Sequence, residues 1–353
     1  MRKLFYSAGV MIAMLVACET QDEISVIPVT TKPVSQVVGN PDSVNLLKPD
    51  SVVQAVTPVV TPYLPEDESI AATSSAGLEN FNIIFSQTFS KNTLGNYKES
   101  EWKADWKYPA WANHKYGYGY IAQEGTNKHI KLNHYAGSFG AGNGYQWETK
   151  FGKVYNELYF SYRIKFSSGF AVENLDGKLP GMGGGKAVDA GKLPNGIDIW
   201  GGKYMFKGTK VKFYLYYMEM YKLCGDAAPV AGKTYWGQGP FLDPGYTFKP
   251  GVWYTITQRV VMNTVGKADG LVEGYVNGKL VCSLKGLRFR SVSTLGIDKI
   301  SFGNFFGGSG VPPSKNEYIL FDDFYAYTYS SSVSVARGNV SNPTGTTILL
   351  PNL

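Results

Sequence analysis

The chain has 353 residues, 44% hydrophobic and 14% aromatic, with 34 basic and 28 acidic side chains and a formal charge of +6. Its three cysteines and three histidines follow no CxxC or zinc-like spacing, so neither a metal site nor another cofactor is expected. The excess charge lies in residues 76–353, with 30 basic against 20 acidic side chains, a balance that attracts anionic polymers.

Residues 1–17 read as an export signal: Arg2 and Lys3 precede an uncharged apolar run too short to be a comfortable membrane span. The run ends in Leu15-Val16-Ala17-Cys18, which resembles the lipobox of bacterial lipoproteins, so Cys18 is expected to be lipidated and to hold the mature chain at a membrane. Glu19, Asp22 and Glu23 resemble the export tags of surface-displayed lipoproteins. The expected location is the outer membrane or cell surface of a Gram-negative bacterium, its periplasmic face being the alternative. Residues 18–75 are rich in Pro, Val, Ser and Thr and hold Tyr63 as their one aromatic residue, which predicts an extended tether. Outside the cell, anionic polymers include uronic-acid polysaccharides and nucleic acid. No helix-turn-helix, finger or RNP-like motif supports the latter, so an acidic polysaccharide is the expected partner. Oligomeric state is not legible.

Residues 76–330 hold all seven tryptophans and form the expected folded domain. Strands are predicted at 83–89 and 129–133, and His114, His129 and His134 are expected as surface or hydrogen-bonded residues. In 158–166, strict alternation puts Leu158, Phe160, Tyr162, Ile164 and Phe166 on a core face and Tyr159, Ser161, Arg163 and Lys165 outside. The next segment, NLDGKLPGMGGGK from Asn174 to Lys186, surrounds Lys178 with glycine. Such a cluster reads either as a surface loop with a solvated lysine or as backbone that another molecule approaches closely.

A strand at 212–220 would place Phe213, Leu215 and Tyr217 on the core face, and Lys212, Tyr214, Tyr216 and Met218 on the face open to a ligand. Cys224 and Cys282, left over once Cys18 is assigned to the anchor, are a candidate disulfide. Further strands are predicted at 253–262, 270–276, 279–284, 297–302 and 318–328, with Asn277-Gly278 as a two-residue type I′ hairpin turn. Adjacent Asp322 and Asp323 should point to opposite faces, which argues against a carboxylate pair of the glycoside hydrolase kind. Residues 331–353 read as a mobile tail. No long stretch has a helical period. The domain is therefore expected to be all-β, an antiparallel β-sandwich of jelly-roll type, whose concave face could hold a chain-like ligand.

Seven features occur in order: Lys178 in GKLPG, the Tyr-x-Tyr of Tyr214 and Tyr216, Lys249-Pro-Gly-Val-Trp253, Asn263 with Asp269-Gly270, the run Phe302-Gly-Asn-Phe-Phe-Gly-Gly308, and Phe321-Asp-Asp-Phe324, with the 158–166 strand before them. The series resembles the catalytic domain of polysaccharide lyase family 14, which includes alginate and glucuronan lyases. The resemblance implies a β-jelly roll that cleaves acidic polysaccharide by β-elimination. It implies a functional role for Lys178 and for the Tyr214 and Tyr216 pair. Where the family usually shows Ser-x-Arg, this chain has Gly201-Gly-Lys203; Lys203 keeps the charge but not the bidentate fork of arginine. On this reading Lys178 and Lys203 face the substrate carboxylate or developing enolate, and the two tyrosines, their phenolates stabilised by the lysines, share the base and acid work. Lys212 and Gly201 would contact substrate, and the glycines would let the sugar chain approach beside Lys178. The competing reading is a surface lipoprotein that binds acidic polysaccharide without cleaving it.

Overall fold

The computed structural model describes residues 81–170, 175–242, 247–307 and 311–329. Cys18, the tether and the expected tail lie outside the described residues. In chain order come β1 (Phe81–Gln87), β2 (Gly95–Asn96), the short helix α1 (Glu99–Asp105), β3 (Ala112–His114), β4 (Tyr120–Glu124), β5 (Asn127–His134), β6 (Tyr145–Tyr155) and β7 (Glu157–Phe166). They are followed by β8 (Asp176–Gly185), β9 (Ile199–Lys207), β10 (Lys210–Tyr216), β11 (Tyr254–Val261), β12 (Gly270–Val276), β13 (Lys279–Leu287), β14 (Ile297–Phe306) and β15 (Glu317–Tyr329).

All nine expected strands form. Their pairings are antiparallel and build two sheets. The larger runs β13-β12-β11-β7-β15-β5-β4-β2, with β1 also on β15; the smaller runs β10-β9-β8-β14-β6-β3. They form a β-sandwich, as the alternation of apolar residues requires once each sheet has one apolar face to bury. Phe166 of β7 meets Phe206 of β9 at 5.8 Å, and Phe302 of β14 meets Phe321 of β15 at 5.9 Å, so aromatic rings bridge the sheets. Burying one such ring stabilises the fold by roughly 2–3 kcal/mol before entropy is counted. The Asn277-Gly278 turn has φ of 49° and 77°, the positive pair that a type I′ hairpin demands.

Several expectations change. The unforeseen helix α1 is too short to show a period, and it delivers Trp102 to the core. Tyr159 and Ser161, expected outside on β7, are buried. A second aromatic cluster of Tyr159, Tyr325 and Tyr327, with Phe81 and Tyr329 against it, covers that face, and Thr257 donates a 2.9 Å hydrogen bond to Ser161. The strand expected to reach residue 220 stops at Tyr216 and gives way to a 3-10 turn at Met220–Cys224, so Met218 leaves the ligand face.

Asp322 and Asp323 also depart from simple alternation. A register shift between Asp322 and Tyr325, with Asp323 at φ 49°, turns both carboxylates toward Arg163, at 3.9 and 3.4 Å. They therefore share a side, because the bulge inserts a residue into the alternation. Their partner is an arginine and they lie on the sheet opposite Lys178, so they remain a structural group.

Candidate active site

The glycine-rich stretch is an interior strand, not a loop: β8 lies between β9 and β14, and Asp176 to Gly184 are buried. Its glycines serve packing rather than the approach of a sugar. A Cβ on Gly177 would collide with the Phe206 ring, one on Gly181 with the carbonyl of Gly202, and one on Gly184 with Trp200 and the carbonyl of Gly296. Aromatic side chains and neighbouring backbone take up the space that side chains on β8 would need.

Register then assembles one face of the smaller sheet. Lys178 is opposite Met205, which is opposite Lys212; Lys203 is opposite Tyr214; Gly201 is opposite Tyr216. The sequence-predicted residues Lys178, Lys203, Lys212, Tyr214, Tyr216 and Gly201 thus come to one face, because directly opposed residues in an antiparallel pair point the same way.

Lys178 is 7% exposed. Its Nζ donates to the Gly307 carbonyl at 3.0 Å, makes a weak bond to Met205 Sδ at 3.3 Å, and sits 3.9 Å from the centre of the Tyr214 ring. Burial pushes its pKa down to about 7; Asp176 opposes the shift, and Lys203 and Lys212 add to it. Lys203 is also lowered, to about 8, by burial, with Glu148 opposing and Lys299 adding. Its side chain runs over Gly303, where a Cβ would lie 3.0 Å from Nζ, so the glycine at 303 leaves the lysine its path.

The two tyrosines separate. Tyr214 is half-buried in contact with Lys178, whereas Tyr216 is buried, shares a 3.3 Å hydrogen bond with Tyr214 between the hydroxyls, and accepts a 3.4 Å bond from the Gly191 amide. Burial first, then the neighbouring Tyr216, raises the Tyr214 pKa. For Tyr214, then, burial works against the expected lysine-stabilised phenolate and favours the protonated phenol. Gly201 differs too. It is buried, and a Cβ there would lie 2.6 Å from a Val188 methyl, so the loop between β8 and β9 covers the position expected to touch substrate. Lys212 is half-buried with its ammonium 5.6 Å from the Phe241 ring.

A sequence model of the polysaccharide lyase 14 family matches residues 122–324. This chain belongs to the polysaccharide lyase 14 family. The match spans more than half of the chain and includes every residue of the site face named above. No curated protein matches the sequence. Among solved structures, the alginate lyase Aly36B is similar at 17% identity and a TM-score of 0.56, over 69% of this chain and 95% of that one. An alginate lyase from Aplysia kurodai is similar at 19% identity and a TM-score of 0.53, over 69% and 98%. The alginate lyase vAL-1 from Chlorella virus is similar at 21% identity and a TM-score of 0.52, over 63% and 93%. At these identities the likeness is one of fold.

Sequence reasoning missed several supports of this lyase-family site. His134 shares a 2.7 Å hydrogen bond with Asn304, which donates at 3.2 Å to the carbonyl of Lys178 and so fixes the β8 backbone from across β14. Buried His134 is held down at about 4, uncharged at neutral pH. Lys299 is clamped on Glu148 at 2.8 and 2.9 Å beside Lys203. These contacts join residues about 130–170 positions apart, and local pattern carries no trace of them. Cys224 closes the 3-10 turn after β10, while Cys282 lies on β13 of the other sheet, and no disulfide joins the two.

Proposed function

We propose that this protein cleaves a uronate-containing polysaccharide by β-elimination, with Lys178, Lys203 and Tyr214 as its catalytic residues. The observation that carries this reading is the contact of Lys178 with the Tyr214 ring beside Lys203. It puts an amine that titrates near neutrality next to a phenol that stays protonated, a base and an acid whose pKa values are driven apart by their surroundings. The charged Lys203 offsets the substrate carboxylate as negative charge grows on it. The uncharged Lys178 amine then takes the C5 proton, the C4–O4 bond breaks as the C4–C5 double bond forms, and the departing O4 takes the Tyr214 proton. Tyr216 orients the Tyr214 hydroxyl through their shared hydrogen bond. The existence of alginate lyases on the same fold, one solved as a lysine and tyrosine double variant with an alginate tetrasaccharide, supports a uronate polymer as substrate.

Incubating the protein with alginates and glucuronan, and following the ultraviolet absorbance of new unsaturated ends, tests the reading. A rise with one polymer, lost in Lys178→Ala while the fold persists, is the expected result. Binding of those polymers without any rise would leave the non-cleaving reading, which the covered Gly201 and the lysine at position 203 favour.

Cys18 as a lipid anchor at the outer membrane or cell surface, with residues 19–75 as its tether, is part of the same proposal and rests on the lipobox-like run. Labelled palmitate should enter the wild-type chain and not Cys18→Ala; equal labelling would remove the anchor.

A further inference from the structure

The site face continues well beyond Lys178. Tyr214 on β10 is opposite Lys203 on β9. Gly181 on β8 packs against Lys203 and is opposite Ser301 on β14, which is opposite Glu148 on β6. β3 pairs with β6 in the register Ala112 to Trp147, so Trp111, one residue before β3, comes opposite Glu148. One row therefore crosses all six strands and ends on a tryptophan. From β9 to β3 it covers four strand spacings, about 19 Å at about 4.8 Å each.

Trp111 is 54% exposed, whereas Trp102, Trp106, Trp147 and Trp200 are fully buried. Its indole makes no ring contact among the described residues. Further along β3, Asn113 donates to the Ala141 carbonyl at 3.0 Å and Lys115, four residues or about 13 Å from Trp111, to Asn143 at 2.8 Å, so both side chains lean on the same 141–143 turn. The Lys115 ammonium has no carboxylate partner among the described residues. Glu148, the one acid in the row, is neutralised by Lys299, so the row opposes an anionic chain nowhere along its length.

We propose that Trp111 forms an outlying subsite for one uronate ring, the indole stacking on the sugar face, with Lys115 at the far end of β3 adding positive charge that holds the polymer's carboxylates, so that the polymer lies across the strands from Tyr214 to Trp111. A single exposed tryptophan would need no explanation. An exposed tryptophan at the end of the catalytic row, on a strand whose other end carries a lysine with no carboxylate partner among the described residues, offers partners for the two features of a uronate chain: apolar sugar faces and carboxylates. The inference rests on the uronate lyase reading and deepens it.

The test uses the full chain and its Trp111→Ala, Trp111→Phe and Lys115→Ala variants, with alginate and glucuronan polymers and their trisaccharides as probes. A trisaccharide straddling Lys203 is too short to reach Trp111. Trp111→Ala should raise KM for the cleaved polymer about tenfold, the worth of one good aromatic contact, with kcat and trisaccharide cleavage unchanged. Trp111→Phe should recover most of the loss, and Lys115→Ala should make polymer binding less salt-sensitive. Equal polymer KM in wild type and Trp111→Ala, with Lys178→Ala inactive, would overturn the subsite and leave the lyase reading standing. If the wild type cleaves nothing, electrophoresis in gels containing each polymer decides. Retardation lost in Trp111→Ala supports the subsite, equal retardation of the two overturns it, and no retardation of the wild type removes both readings.

Discussion

Lys178 on β8 holds its Nζ 3.9 Å from the centre of the Tyr214 ring on β10, although β9 lies between their strands. The Lys178 side chain must cross over Met205 to do so, and its contact with the Met205 sulfur marks that path. A cation over a phenol face gains about 0.5–2 kcal/mol according to how far it is desolvated. Burying the ammonium costs more than that, as the fall in its pKa from 10.5 to about 7 records.

That imbalance predicts a trade of stability for activity at Lys178. Between about pH 7 and 10.5 the unfolded chain holds a proton that the folded chain has lost, so stability rises with pH across the window; below pH 7 the penalty is fully present. Lys178→Met should abolish elimination, raise stability at pH 7 by about 1–4 kcal/mol and remove the Lys178 share of that rise. Urea melts at pH 7 and pH 9.5 measure it; a less stable variant at pH 7 would contradict the argument.

Activity should depend on pH in the same sense. If the uncharged Lys178 amine takes the C5 proton, kcat/KM rises through about pH 7 as the amine deprotonates. Should Lys178 act instead as a charge on the carboxylate, the rate would fall over that range, so the pH profile of the wild type chooses between the roles.

The tyrosines should not be equivalent. Tyr214→Phe removes the acid and is expected to lower kcat by at least about 100-fold. Tyr216→Phe removes only an orienting hydrogen bond and should cost about fivefold, since one such bond is worth about 1 kcal/mol. Equal losses in the two variants would refute the division.

The glycines of β8 should resist substitution for reasons of packing. Gly181→Ala places a methyl against the Gly202 carbonyl and 2.5 Å from the Lys203 Cα, so overpacking should destabilise the domain by about 1–3 kcal/mol or more. Gly142, with open space where a methyl would go and no positive φ, provides the control, and Gly142→Ala should be close to neutral in thermal melts.

Much of this protein was legible in its sequence. Alternation of apolar residues is a local property, so 158–166 announced both its strand and the core face carrying Phe160 and Phe166, and Asn277-Gly278 announced a hairpin through two positive φ angles. GKLPG and Tyr-x-Tyr, in their order along the chain, pointed to the candidate site residues through the resemblance to the family, and of the two only Tyr-x-Tyr lay in a strand that local pattern could place. What only the tertiary structure decided depended on neighbours far along the chain. The glycine-rich segment became a buried strand because Phe206, Trp200 and the backbone of β9 fill the space above it. Tyr216 was covered by Gly191 while Tyr214 was left to Lys178, and the Asp322 bulge reversed the simple parity of its strand. Alternation fixes which way a side chain points from its own strand, but burial, and with it the proton affinity of Lys178, is set by what the other strands place over it.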